Sequence, residues 1–161
     1  MKTLFLFVSS FLFATNIYSQ DSLKIMQINT LVNSISLSDL PTKHDSIFQD
    51  YPGLGLTMKT FIKLKTYGKE LKKYEQIVKT TQKENSITSV SISGSAFYYD
   101  QNELIKVEEF MIKDDKENKF EWYFSEDKCF YYTLKSDKAD KRIPLLLNLS
   151  KGFQKTISDQ N

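Results

Sequence analysis

The sequence predicts an α+β fold: an antiparallel meander sheet of about six strands with an N-terminal and a C-terminal helix. Three observations carry this. Apolar residues recur at helical spacing near the start of the chain and again at its end. Between those stretches the period falls to two. Within that region an aromatic residue, a short polar turn and an apolar segment follow one another three times.

The first element is an address. Lys2 precedes the apolar run Leu4-Phe5-Leu6-Phe7-Val8 and Phe11-Leu12-Phe13-Ala14, and a polar approach leads to Ser19-Gln20. One positive charge, an apolar core and small residues near a cut site are the layout of a secretory signal peptide. The run is too short to span a bilayer. Residues 1–19 are therefore expected to be a signal peptide, with cleavage after Ser19 or Gln20, and residues 20–161 a single exported domain, periplasmic or extracellular. A chain of that length buries about two-thirds of its unfolded surface and needs no staple.

Asp21 can cap a helix beginning near Ser22. Ile25, Ile28, Leu31, Val32 and Ile35 form its apolar stripe, with Leu23 and Met26 off it. Residues 36–55 hold Pro41, Pro52 and Gly53 among Asp and Ser, and read as a long irregular connection. From Leu54 the alternation Leu54, Leu56, Met58, Ile62, Leu64 marks a half-buried strand. The recurring units are Tyr67-Gly68-Lys69-Glu70-Leu71, Tyr99-Asp100-Gln101-Asn102-Glu103-Leu104 and Phe124-Ser125-Glu126-Asp127-Lys128-Cys129-Phe130. Their turns supply Gly, Asn and Asp, which tolerate positive φ or bond to their own backbone. At the end of the chain Leu146, Leu149, Phe153 and Ile157 restore helical spacing, and Pro144 suits a first turn.

The middle unit, Phe97-Tyr98-Tyr99-Asp100 with Leu104-Ile105-Lys106-Val107-Glu108, resembles the Tyr-Asp hairpins of small exported Gram-negative bacterial proteins of unknown function. That resemblance covers residues 67–134. It implies hairpins and export, and it brings no catalytic residue.

Chemistry is sparse. There is one cysteine, Cys129, and one histidine, His44. A nucleophile pair between them is formally possible, but Cys129 at a strand mouth reads first as a small buried hydrophobe. Too few His and Cys ligands are present for a zinc site, and the cluster 114–118 lacks the alternating acids and glycine of a calcium loop. No metal and no cofactor is expected. A small hydrolase using Glu103, Glu108, Glu109 or Glu121 is the alternative to a binding protein.

Charge is nearly balanced at +2, which argues against nucleic acid as a partner. It is unevenly spread, however. Residues 59–83 carry a net +6 and residues 100–127 a net −6. The plainer explanation is opposite charges on neighbouring strands; the sharper is a bipolar surface that steers a charged partner.

Aromatics crowd between Phe97 and Tyr132. A three-residue turn after Ser125 would set Phe124 opposite Phe130, Trp122 opposite Tyr132 and Phe120 opposite Leu134, all on one side. A two-residue turn at Gln101-Asn102 would set Tyr98 opposite Ile105 and Ala96 opposite Val107. Phe97, Tyr99, Phe110, Tyr123 and Tyr131 then fall on the reverse face, where a one-sided sheet should be polar. Either a helix covers that face or it contacts a protein or glycan partner. These five are the candidate contact residues. The expected function is a non-enzymatic exported binding protein with no stable membrane span.

Overall fold

The computed structural model describes the backbone of residues 2–84, 86–136 and 138–159, and side chains from Gln20 onward except Ser158. The expected signal peptide lies outside the residues whose side chains are described. The elements are α1 (Lys2–Leu37), β1 (Thr42–Tyr51), a 3-10 turn (Pro52–Leu54), β2 (Leu56–Tyr67), β3 (Glu70–Glu84) and β4 (Ile87–Asp100). They continue with β5 (Glu103–Lys113), β6 (Lys116–Ser125), β7 (Lys128–Tyr132) and α2 (Ala139–Ser158). All seven strands form one antiparallel meander in chain order.

The α+β meander with a helix at each end is as expected. One strand more is present, and it lies inside the stretch read as irregular. β1 pairs with β2 at ten successive positions, from Thr42↔Lys65 to Tyr51↔Leu56. Its side chains are exposed apart from Thr42, so it carries no buried alternation that a sequence pattern could reveal. Two boundaries also move. α1 is already helical at Asp21, and Pro144 sits in the second turn of α2 instead of the first.

Three hairpins share a device that sets the side-chain register. In each, a two-residue turn is followed by two ladder pairs and then by one extra residue on the returning strand. The pairs are Tyr67↔Glu70 and Thr66↔Leu71, Asp100↔Glu103 and Tyr99↔Leu104, and Ser125↔Lys128 and Phe124↔Cys129. The ladders resume at Lys65↔Lys73, Tyr98↔Lys106 and Tyr123↔Tyr131, leaving Lys72, Ile105 and Phe130 as bulged residues. Gln101, Asn102, Glu126 and Asp127 all have positive φ, the conformation of a two-residue turn whose twist matches the strands.

The bulges correct the expected register. Tyr98 faces Lys106, not Ile105, and Ala96 faces Glu108, not Val107. Phe124 faces Cys129, not Phe130, although Trp122 does face Tyr132. An extra residue reverses every later side chain on its strand relative to the partner.

The sheet is covered on both sides. α2 packs over Leu71, Tyr74, Phe97, Tyr99, Val107, Trp122 and Phe124. On the other side Ile28, Val32 and Ile35 of α1 pack over Ala96, Tyr98 and Tyr123. Two lysines tie α1 down. Lys65 donates from Nζ to the carbonyls of Ile35, Ser36 and Ser38 at 3.1, 2.7 and 2.9 Å, closing the helix C-terminus with a cation. Lys106, 3% exposed, donates to Asn29 of α1 at 2.9 Å and to Glu121 at 2.7 Å, and pairs with Glu108 at 2.8 Å.

Candidate functional site

The helices cover only the end of the sheet that carries the three bulged turns. β2 to β5 are long strands of 11 to 15 residues, and their far halves stand clear of both helices. Ile87, Val90, Met111 and Phe61 remain exposed there.

The register divides the five candidate aromatics between the two sides. Phe97 and Tyr99 lie on the α2 side with Trp122 and Phe124, and are 1% and 0% exposed. Tyr123 lies on the α1 side, is 1% exposed, and donates its hydroxyl to Asn29 at 3.0 Å. Alternation along β5 from Lys106 puts Phe110 on that α1 side too, over Gly94. Tyr131 packs edge-on to Tyr123 and is 43% exposed. The single reverse face of five aromatics is therefore replaced by two faces, each with its own helix. Three of the five have no accessible surface with which to touch a partner.

What remains open on the α2 side is a cleft of about 610 Å³. Its floor is the sheet at Val78, Ser93 and Met111, its inner wall is Phe120 and Trp122, and Leu149 of α2 borders it. Met111 points here because it follows Val107 and Glu109 on alternate positions. The rim carries an ion pair. Arg142 donates from Nε to Glu109 at 3.1 and 3.2 Å, and from Nη2 to the same carboxylate. These bonds hold the guanidinium pKa up against the opposing effect of burial. Trp122 is fully buried, and its indole N–H has no hydrogen-bond partner among the described residues. A buried donor without a partner is rare and costs on the order of 1–3 kcal/mol. Sequence reading placed Trp122 correctly beside Phe120, but nothing in the pattern showed that α2 would stop short of covering them.

The arrangement does not assemble a nucleophile. His44 is on β1 and Cys129 on β7, the two edges of the sheet, six strand spacings or roughly 30 Å apart. Burial raises the Cys129 thiol pKa, and the thiol donates weakly to the Tyr131 carbonyl at 3.4 Å. Three of the four carboxylates considered for hydrolysis are engaged, Glu108 and Glu121 by Lys106 and Glu109 by Arg142; Glu103 lies apart from them, at the turn-end of β5. Burial alone would lower the Lys106 pKa, but its hydrogen bonds to Glu108 and Glu121 and the charge of Glu108 outweigh it, and the pKa is raised.

No family model, no curated protein and no solved structure matches this chain. Among the described residues no helix is long and apolar enough to cross a membrane.

Proposed function

We propose that this is an exported, non-enzymatic binding protein that holds a protein partner by an apolar side chain inserted into the cleft beside α2. The observation that carries the reading is the composition of that cleft. Met111, Phe120, Leu134 and Leu149 give it apolar walls, and Trp122 beneath them keeps an unused donor. A side chain seated there gains burial of apolar area. The Arg142–Glu109 pair at the rim fixes the orientation of an entering polar group. The contact surface of this reading is Met111, Phe120, Leu134 and Leu149, not the buried Phe97, Tyr99 and Tyr123.

The test is photocrosslinking in the exporting cell from a benzophenone amino acid at Met111, with the exposed Leu54 as control position. A discrete adduct from Met111, absent from Leu54 and abolished by the cleft-filling Ser93→Phe, is the expected result. Equal labelling from both positions, or adducts that survive Ser93→Phe in a folded variant, would sink the cleft as the contact site.

A further inference from the structure

We infer that the α1 side of β1 to β3, beyond the end of that helix, is a second binding site, and that it takes a linear acidic polysaccharide. Alternation along the strands puts Lys59, Phe61 and Lys63 of β2 on this side together with Lys79 and Lys83 of β3, and with His44 and Phe48 of β1. The ladder sets Lys59 directly opposite Lys79 and directly beside Phe48, and its Nζ lies 4.9 Å from the Phe61 ring centroid. Like charges opposite each other in a sheet are destabilising. No acidic side chain pairs with Lys59, Lys63, Lys79 or Lys83 among the described residues. Glu75 stands opposite Lys63 in the ladder but is ion-paired to Lys73, and Asp50 shares the side at its far end. Lys59, Lys79 and Lys83 face no acid across the ladder, and this gathering of cations suits an anion from outside.

Shape agrees with charge. A hollow of about 490 Å³ opens among His44, Phe61, Lys63 and Ile77. Asp45 and Glu75 also line it, but Asp45 accepts the Ser46 N–H at 2.7 Å and Glu75 pairs with Lys73 at 3.2 Å. From Glu75 to Lys83 the strip runs about 26 Å along β3. Phe48 and Phe61, 66% and 43% exposed, offer flat apolar rings beside the ammonium groups. A chain of sugar rings bearing carboxylate or sulfate groups matches both. Single-stranded nucleic acid would use the same two features, but the net charge of +2 lacks the basic excess of a nucleic-acid binder. Beyond uncharged residues 87–99 of β4 lie Glu108, Glu121 and Glu117 on the same side, which repel any polyanion and so confine the ligand to β1 to β3.

Fluorescence anisotropy with labelled oligogalacturonate, neutral dextran and oligothymidylate tests this. Expected is binding of the oligogalacturonate alone, weakened about tenfold by Lys59→Gln with Lys79→Gln and by a similar factor in Phe61→Ala. Lys119→Gln, on the same side but among the acidic strands, should leave it unchanged. All four positions are exposed, so the variants should fold, and relief of the Lys59–Lys79 repulsion makes the double variant no less stable. Absence of oligogalacturonate binding, indifference to the double variant or to Phe61→Ala, or tighter binding of oligothymidylate would each overturn the proposal.

Discussion

Lys65 illustrates how a charged residue can be a core residue. Its stem crosses from β2 under the end of α1, and its ammonium donates to the carbonyls of Ile35 and Ser36 in the last turn and of Ser38 just beyond it. Lys65→Met keeps the stem and removes the donors, so it should cost about 1.5–3 kcal/mol, read as a lower urea midpoint at unchanged slope. An unchanged midpoint would mean that water caps α1 equally well. The buried tyrosines set a second expectation. Burial raises the pKa of Tyr74, Tyr98, Tyr99 and Tyr123 above the ordinary value near 10. The folded chain therefore keeps protons that the unfolded chain releases. Stability should be full below about pH 10 and fall as pH rises above it. Lys106, also raised, acts with the same sign. Urea midpoints at pH 8 and pH 11 would show the decline, and the phenolate absorbance of these four buried tyrosines should appear only with unfolding. Equal midpoints would refute it.

At the scale of elements, the bulged hairpin explains both what could be read from the sequence and what could not. The three units announced themselves through their turn residues, and the helices through Ile25, Ile28, Leu31, Val32 and Ile35 and through Leu146, Phe153 and Ile157. Each of these packs on the sheet side that its helix covers, while Leu149 of the α2 stripe stays 39% exposed. The extra residues Lys72, Ile105 and Phe130 left no signal, because a bulge adds one position to a pattern whose meaning depends on parity. One such residue moved Phe97 and Tyr99 to the side opposite Tyr123. β1 was hidden for another reason: its ladder is made by backbone groups, while its side chains face solvent. Within the sheet, Gly94 marks a close approach. A Cβ there would lie 2.4 and 2.6 Å from Phe110 ring carbons and 3.0 Å from the Gln76 carbonyl oxygen. Gly94→Ala should cost about 1–3 kcal/mol by overpacking. Combined with Phe110→Ala it should cost less than the sum of the two, since the ring is the main obstacle. Strict additivity in a double-mutant cycle would show that the ring moves aside freely.

For the whole molecule, segregated charge and a partly covered sheet are two sides of one organisation. The expectation that neighbouring strands exchange opposite charges is met only in places, at Lys63↔Glu75 and Lys106–Glu121; elsewhere Lys59 stands opposite Lys79 and Glu108 opposite Glu121, and most of the remaining acids lie in the turns. The acids are largely consumed internally, by Lys106, Arg142, Lys72 and Lys151. Lys59 and Lys63 of β2 and Lys79 and Lys83 of β3 have no such ion pair among the described residues. Composition alone revealed the two blocks, but only the ladder shows which block is left facing outward. The same view of the whole bears on the start of the chain. The apolar α1 side chains that pack on the sheet run from Ile25 to Ile35, and Lys24 lies over the Phe130 ring, all after Ser19. A chain beginning at Gln20 keeps all of them. It also keeps Asn29, which bonds Lys106 and Tyr123, and the Lys65 cap. Asp21 then falls in the first turn of a new helix end, where a carboxylate is favourable by about 0.3–1 kcal/mol. An isolated helix of that length would be marginal in water, so its contacts with the sheet, not its own propensity, must hold it. We therefore expect the chain starting at Gln20 to unfold within about 0.5 kcal/mol of the full chain. N-terminal sequencing of the exported protein should find Gln20 or Asp21. Retention of Met1 in exported material would remove the signal-peptide reading, and a large loss of stability on truncation would show that residues before Gln20 belong to the folded domain.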